Sequence, residues 1–226
     1  MKNFKLYLLV AICTLFVTFS FAQRSSYNIK NGFALGGGFT QFNINTDNFN
    51  TKSGTGWLAH MSATVDLPHK WYNVSYGMQL SENRLSINGL ASNLSSNFEP
   101  IDYKVLTAQI AFLLHAKLAG PYLTLDFGPM LQYNSDLEFD DDGQEEWFIA
   151  EFDSVLAKDF VDLTNFNVNG VVGLTAGFEN FKVRGQYIYG FTNILNDLND
   201  AQFSQNLEKK FKGNQSMLAL ALLITF

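Results

Sequence analysis

Apolar and polar residues alternate along much of the chain. Residues 57–67 place Trp, Ala, Met, Ala, Val and Leu on one parity, and Leu, His, Ser, Thr and Asp on the other. The same alternation resumes over residues 72–81, after a short connection that contains Pro68. A repeat of two residues is the period of a β-strand with two different faces. The two segments therefore predict a β-hairpin.

The alternation recurs often enough to build eight strands, joined by connections that are alternately short and long. The predicted strands are 33–44, 57–67, 72–81, 106–118, 122–133, 166–178, 181–192 and 216–226. The short connections are 68–71, 119–120 and 179–180, and the long ones are 45–55, 82–102, 134–164 and 193–214. This arrangement predicts a closed, antiparallel, up-and-down barrel of eight strands, the smallest usual number for a transmembrane barrel.

The two faces of such a barrel can be assigned in two ways. A soluble lipocalin-like barrel turns its apolar face inward, whereas a membrane barrel turns it outward to lipid. The polar face here combines charges with many glycines and other small residues, which fill a narrow lumen better than they solvate a surface. Its charged residues are Asp66, Lys117, Asp126, Lys182 and Arg184. We therefore expect a transmembrane barrel with long external loops and short periplasmic turns.

Aromatic residues gather near the predicted strand ends. The last residue, Phe226, ends a strand-like segment, which is typical of outer-membrane barrels. Aromatic side chains at strand ends are expected to form girdles at the two membrane interfaces. The predicted interfacial aromatics are Trp57, Trp71, Tyr72, Tyr133, Phe178, Phe181 and Phe226.

The amino-terminal segment predicts export. Lys2 and Lys5 precede an apolar run that ends at Ser20-Phe21-Ala22, the pattern of a cleaved signal peptide. We expect residues 1–22 to be removed and residues 23–226 to form one barrel domain in the outer membrane of a Gram-negative bacterium. Only 16% of the 226 residues are charged, against about 25% in soluble domains.

Cleavage also limits the chemistry and the partners of the mature chain. The one cysteine, Cys13, lies within the apolar run, so we expect neither disulfides nor cysteine catalysis. Loss of Lys2 and Lys5 moves the net charge from −6 to −8. That balance argues against a nucleic-acid partner, and outer-membrane lipid is the expected surrounding of a monomer.

The inward charges have two interpretations. They line an ion path, or they form a closed network that plugs the barrel. Eight strands leave an interior just wide enough for side chains to fill it, and buried charges must find partners. We therefore expect a plug, with no cofactor.

Two histidines, His60 and His115, fall on the inward parity and raise the alternative of a lipid hydrolase. A catalytic serine needs a base and an orienting acid near a lipid-accessible rim. The spacing of the residues predicts no such triad, so we expect no enzymatic activity.

The third long connection is acidic. Glu138, Asp140 and Asp142, followed by Gly143, loosely resemble the opening of a calcium loop. An EF-hand requires Glu at its twelfth position, where this chain has Ile149. A looser cation site at these three carboxylates and a merely solvated acidic loop both remain open, and we assign no metal.

Apolar residues then recur at helical spacing. The spacing predicts a short amphipathic helix over 148–160, acting as a lid over the barrel mouth or as a docking surface for a surface or envelope protein. The apolar positions are Phe148, Ile149, Phe152, Val155, Leu156 and Phe160.

The third hairpin carries a resemblance to a known family. Its strands, Gly170–Glu179 and Val183–Ile194, resemble the corresponding hairpin of the PorT-like "porin family" barrels of Bacteroidota, and the closing strand after Lys212 is also similar. The fourth strand departs from that family, because Val105-Leu106-Thr107-Ala108 stands where a Leu-Glu-Ile-Pro type of stretch is common. The resemblance implies an outer-membrane location and a monomeric barrel, but no reaction.

From these patterns we expect a non-enzymatic outer-membrane barrel with a plugged lumen, whose loops, chiefly 134–164, serve a structural, adhesive or partner-binding role. The alternatives are a narrow porin-like channel and an accessory subunit of a type IX, PorT-like secretion machinery.

Overall fold

The computed structural model describes residues 30–92, 97–152, 155–201, 203–204 and 210–226. The predicted signal peptide lies outside these residues. Ten strands appear in chain order: β1 Lys30–Thr46, β2 Thr51–Asp66, β3 Tyr72–Leu90, β4 Glu99–Ala119, β5 Leu123–Asn134, β6 Glu138–Phe139, β7 Phe148–Ile149, β8 Phe166–Gly177, β9 Phe181–Gly190 and β10 Gly213–Thr225. Three short 3₁₀ helices cover Asp142–Gln144, Ala157–Asp159 and Asp197–Asn199.

Eight of the strands close into a ring. Each of β1, β2, β3, β4, β5, β8, β9 and β10 pairs antiparallel with its neighbours, and β10 pairs with β1 from Ala34↔Thr225 to Thr46↔Gly213. The terminal residue completes this seam, because the Phe226 amide donates to the Phe33 carbonyl at 2.8 Å and the Phe33 amide donates back at 3.2 Å. The predicted closed, up-and-down, eight-stranded barrel is confirmed.

The three short connections lie at one end of the barrel. They follow β2, β4 and β8, as predicted. Gly120, between β4 and β5, has φ of +57°, a left-handed conformation that a glycine adopts without a Cβ clash. We call this end of the molecule the short-turn end and the opposite end the long-loop end.

The exterior of the barrel is apolar over a continuous band, which we call the belt. It includes exposed side chains from every strand of the ring: Phe33, Phe39, Trp57, Met61, Tyr76, Met78, Ile110, Phe112, Phe127, Leu131, Val172, Leu174, Val183, Tyr187, Leu220 and Leu222. On β10 the belt runs from Leu218 to Phe226, and on β4 from Leu106 to Leu118. At about 3.3 Å per residue and a tilt of about 40°, these lengths correspond to a height of roughly 20–30 Å.

Beyond the belt, β3 and β4 continue as strands with their polarity reversed. On β3 the outward side chains become Glu82 and Arg84, while the inward ones become Leu85 and Ile87, each 1% exposed. Pairing between β3 and β4 continues to Gly89↔Glu99. The barrel wall is therefore apolar outside over the belt, and apolar inside above it.

The reversed wall encloses a hydrophobic core together with the long connections, and we call this unit the cap. The strands contribute Phe42, Ile44, Leu85, Ile87, Ile101, Tyr103 and Val105, and the connections contribute Phe49, Leu137, Ile149, Val155, Ala157, Phe160, Leu163, Ile194, Leu195, Leu198 and Phe211. The Phe160 ring packs edge to face on Phe49, with centroids 4.9 Å apart, and on Phe211 at 5.7 Å. The cap closes the long-loop end of the barrel.

Two predictions about the connections are wrong. The first connection spans only 47–50 rather than 45–55, and the second spans 91–98 rather than 82–102, because the strands extend into the cap. The predicted amphipathic helix over 148–160 is absent from its described residues, which form β7 and a 3₁₀ turn instead. Ile149, Val155 and Phe160 are buried in the cap core. They do not lie on one helical face.

No helix in the part of the chain described here is long and apolar enough to cross a membrane.

Candidate functional site: the lumen and the cap

The centre of the lumen chemistry is Asp126, on β5, which is fully buried. Its carboxylate accepts hydrogen bonds from His115 Nδ1 and Thr124 Oγ1, both at 2.7 Å, and from the Thr175 hydroxyl. Arg184 Nε lies 3.6 Å from Asp126 Oδ2 and donates to Thr175 Oγ1 at 2.9 Å. The negative charge of Asp126 is therefore met by donors from both neighbouring strands and by one cation, as a buried charge requires.

Arg184 joins this cluster to His60 on the opposite side of the lumen. Its Nη1 lies 3.2 Å from His60 Nε2. A guanidinium only donates, so Nε2 must accept, and the ring proton belongs on Nδ1, which lies 3.2 Å from Gln79 Oε1. The geometry thus assigns His60 as a neutral ring that accepts a hydrogen bond from Arg184 and donates one to Gln79.

Sequence reasoning predicted no serine–histidine–acid triad, yet three side chains meet in that order. Ser75 Oγ lies 2.7 Å from His115 Nε2, whose ring reaches Asp126 through the other nitrogen. Ser75 is only 2% exposed, and it lies on a regular strand whose amides pair with β2 and β4. The nucleophile would lack both access and backbone donors for an oxyanion. We interpret the arrangement as a structural hydrogen-bond network that stabilises the buried Asp126 carboxylate.

A row of amide side chains crosses the lumen towards the cap. Gln79 donates to Gln109 at 3.0 Å, and Gln109 donates to Gln132 at 2.6 Å. Gln132 then exchanges hydrogen bonds of 2.7 Å with Gln215. These residues are buried, and the row follows the strand register His60↔Gln79, Gln79↔Gln109 and Gln109↔Gln132. Sequence analysis missed this row, although its signal was an amide at the inward position of four strands.

The three other predicted lumen charges lie nearer the short-turn end. Lys117 pairs with Asp66, with Nζ 3.1 Å from Oδ1. Lys182 is partly buried, and it lines a cavity of about 340 Å³ together with Arg184 and His115. The structure therefore brings Asp126 and Arg184 together and pairs Lys117 with Asp66. Lys182 lies at the cavity and makes no hydrogen bond or ion pair to another described residue.

Two of the three carboxylates of the predicted cation site, Asp140 and Glu138, are described. Asp140 faces Arg84 at 3.5 Å and Lys104 at 3.6 Å, and Glu138 is exposed on β6. The side chain of Asp142 lies outside the described part of the chain. Across the residues that are described, no group of three or more His, Cys, Asp or Glu side chains is placed to hold a metal. A cation site at these positions stays a prediction.

The outer surface of the segment 134–164 is acidic and exposed. Glu146 and Lys158 form an ion pair at 2.7 Å, and the hydrogen bond that Lys158 donates to the Glu146 carboxylate raises the pKa of Lys158. The partner-binding role of this segment stays a prediction.

The predicted interfacial aromatics lie on the outside of the barrel near its two ends. Tyr72 is half-buried, and its ring packs against Trp71 at 5.1 Å. The others are exposed: Trp57, Trp71, Tyr133, Phe178, Phe181 and Phe226.

No protein-family model matches the chain, and no curated protein matches it. Among solved structures, the chain is similar to Neisserial surface protein A, with a TM-score of 0.48, 10% identity, and coverage of 86% of this chain and 97% of that one.

It is also similar to Ail, the attachment invasion locus protein of Yersinia pestis, with a TM-score of 0.49, 10% identity, and coverage of 87% and 99%. The outer-membrane protein OprG of Pseudomonas aeruginosa is similar with a TM-score of 0.45 and 10% identity. The match covers 88% of this chain and 97% of OprG. Similarity at this level carries no inference about what the chain binds.

Proposed function

We propose that this protein is an integral, non-enzymatic outer-membrane barrel whose lumen is plugged and whose cap works at the cell surface. The observation that carries the proposal is the reversal of wall polarity between belt and cap. An apolar exterior suits acyl chains, whereas a polar exterior around an apolar core suits water.

The height of the belt supports the membrane assignment. Its estimated 20–30 Å agrees with the apolar band of about 25 Å in outer-membrane barrels. The closed ring leaves no unpaired strand edge in hydrocarbon, where an unsatisfied backbone group costs several kcal/mol. The cap then faces the outside and the short turns face the periplasm.

The filling of the lumen supports a barrel that does not conduct. The Asp126 cluster and the amide row occupy its cross-section, and the cap core covers the long-loop end. Planar-bilayer recording of the refolded protein tests this proposal. We expect no unitary current steps, and reproducible steps from the unaltered protein would overturn the plugged lumen in favour of the porin-like channel.

The role of the cap surface needs a test in cells. Charge reversal at two exposed cap residues, Glu145→Lys with Glu146→Lys, should reproduce the phenotype of gene deletion while the barrel still inserts. The exposed short-turn residue Glu179, changed to Lys, is the control. An unchanged phenotype from the cap variant would place the function elsewhere.

The PorT-like resemblance of the third hairpin supports a second candidate, an accessory subunit of a secretion machinery. Affinity purification of the barrel from outer membranes distinguishes it. Recovery of a much larger outer-membrane partner, with loss of secretion on deletion, would favour this role.

A further inference from the structure

A polar recess lies on the outer wall where β1 meets β10, directly above the belt. Its volume is about 450 Å³, and its lining includes Asn43, Asn45, Asp47, Lys212 and Asn214. We call it the amide recess. The outward side chains of β1 change from Phe39, 76% exposed, to asparagines, and those of β10 change from Leu218, 55% exposed, to Ser216 and Asn214.

Several polar groups of the recess have no partner within the described chain. Asn43 Oδ1 is buried and accepts no hydrogen bond. Asp47 and Lys212 make no side-chain hydrogen bond or ion pair to other described residues, and together they add no net charge. The side-chain amide nitrogens of Asn43, Asn45 and Asn214 already donate within the protein. Two acceptor groups, Asn43 Oδ1 and the Asp47 carboxylate, and one donor, the Lys212 ammonium, thus remain for a neutral, hydroxyl-rich ligand.

Aromatic rings stand on the next strand, β9, at the level of the recess. Tyr189, on β9, pairs with Ser216, whose hydroxyl accepts a hydrogen bond from Asn45 at 3.0 Å. The Tyr189 ring packs against Phe191 with centroids 6.0 Å apart, and both rings are exposed. Sugars have an apolar face and several hydroxyls. An aromatic ring can pack against that face, while amides and a carboxylate can hydrogen-bond the hydroxyls.

The height of the recess determines where such a sugar would come from. Asn43 and Asn45 pair with Ser216 and Asn214, which lie two and four residues beyond Leu218 of the belt and so roughly 5–10 Å above it at the usual rise and tilt. This is the level of the lipid headgroups and not of bulk solvent.

We propose that the amide recess binds the sugar headgroup of a glycolipid in the membrane leaflet on the long-loop side. Asn43 Oδ1, Asp47 and Lys212 hydrogen-bond the hydroxyls, and Tyr189, one strand away on β9, packs against a ring face. The inference goes beyond the surface role of the cap, and it rests on the proposed insertion of the belt in a membrane.

Native mass spectrometry of the barrel in nanodiscs tests the proposal. The nanodiscs contain phosphatidylethanolamine with either rough-type lipopolysaccharide or phosphatidylglycerol at matched charge. We expect the unaltered protein to retain the lipopolysaccharide selectively, and Asn43→Ala with Asp47→Ala to lower that retention at least tenfold. The matched control is Asn88→Ala with Glu82→Ala, which removes an amide and a carboxylate from the outer wall of β3 and should change nothing.

Excess free core oligosaccharide should displace the bound lipopolysaccharide. Equal retention by the recess variant and the control, equal retention of phosphatidylglycerol, or no displacement by oligosaccharide would each overturn the glycolipid site. Failure of the unaltered protein to enter nanodiscs would instead overturn the proposed membrane barrel, so the two proposals fail in different ways.

Discussion

At the scale of single residues, the lumen is stabilised by hydrogen bonds between almost all of its described buried side-chain donors and acceptors. Asp126 receives three hydrogen bonds and one cation, and the glutamine row bonds end to end. Gln186 Nε2 is the one buried side-chain atom of the described lumen without a partner. Such matching matters because an unpaired buried charge costs far more than a well-made pair contributes.

Replacing Arg184 by Met should therefore destabilise the barrel strongly. It leaves Asp126 buried without its cation, at a cost of about 3–5 kcal/mol. The measurement is the free energy of unfolding in urea with lipid vesicles. Lys182→Met is the matched control, because Lys182 has no described partner and should cost under about 1 kcal/mol.

Adding Asp126→Asn to Arg184→Met should recover part of the loss, since no unpaired charge then remains. If the double variant is less stable than Arg184→Met by the full cost of Asp126→Asn alone, the two residues are not coupled and the cluster is wrongly described.

Gly38 limits the seam between the first and last strands. A Cβ at this position would collide with the Leu220 carbonyl oxygen of β10. We expect Gly38→Ala to lower the free energy of unfolding by about 1–3 kcal/mol, measured as a lower urea midpoint. Gly185→Ala is the control, because a Cβ there meets no atom within 4 Å; equal loss from both variants would contradict the close approach at the seam.

At the scale of elements, the strands of the belt were predictable because their outward side is apolar and much of their inward side is polar, so alternation was strong. The upper parts of β3 and β4 alternate as well, but with the opposite sign. Residues 82–102 therefore looked like a polar connection, although Leu85, Ile87 and Ile101 mark a buried face. The sign of an alternation depends on the surrounding solvent, which no local window contains.

The false helix over 148–160 has a related cause. Its apolar residues are buried against distant parts of the chain, including Phe49 and Phe211, which are far apart in sequence. Helical spacing arose by coincidence within an irregular segment.

The contact of Ser75 with His115 could not be predicted either, because it depends on the register between β3 and β4 and not on spacing.

Phe160→Ala should loosen the cap without affecting the barrel. The ring is fully buried between Phe49 and Phe211, and its loss costs about 3–5 kcal/mol. Hydrogen exchange should show faster exchange at cap amides and no change at β8 or β9. Phe98→Ala, at a ring 64% exposed, is the control; protection of the cap that survives Phe160→Ala would contradict a shared core.

At the scale of the whole molecule, one closed sheet has an apolar exterior at the belt and a polar exterior at the cap. The ring closure, the strand number and the end that carries the long loops followed from the sequence, because period, connection lengths and the final aromatic residue all agreed. The cap did not follow, since its described core is assembled from three connections and from the upper parts of three strands, β1, β3 and β4. In the proposed membrane barrel, lipid surrounds the belt and water surrounds the cap.

The three tryptophans measure this arrangement directly, because Trp57 and Trp71 lie at the two edges of the belt and Trp147 lies in the cap. Single-tryptophan variants, with Phe at the other two positions, are refolded into vesicles that contain lipids brominated along their acyl chains. We predict quenching of Trp57 and Trp71 emission and none of Trp147. Quenching of Trp147, or unchanged emission from both Trp57 and Trp71, would contradict the account.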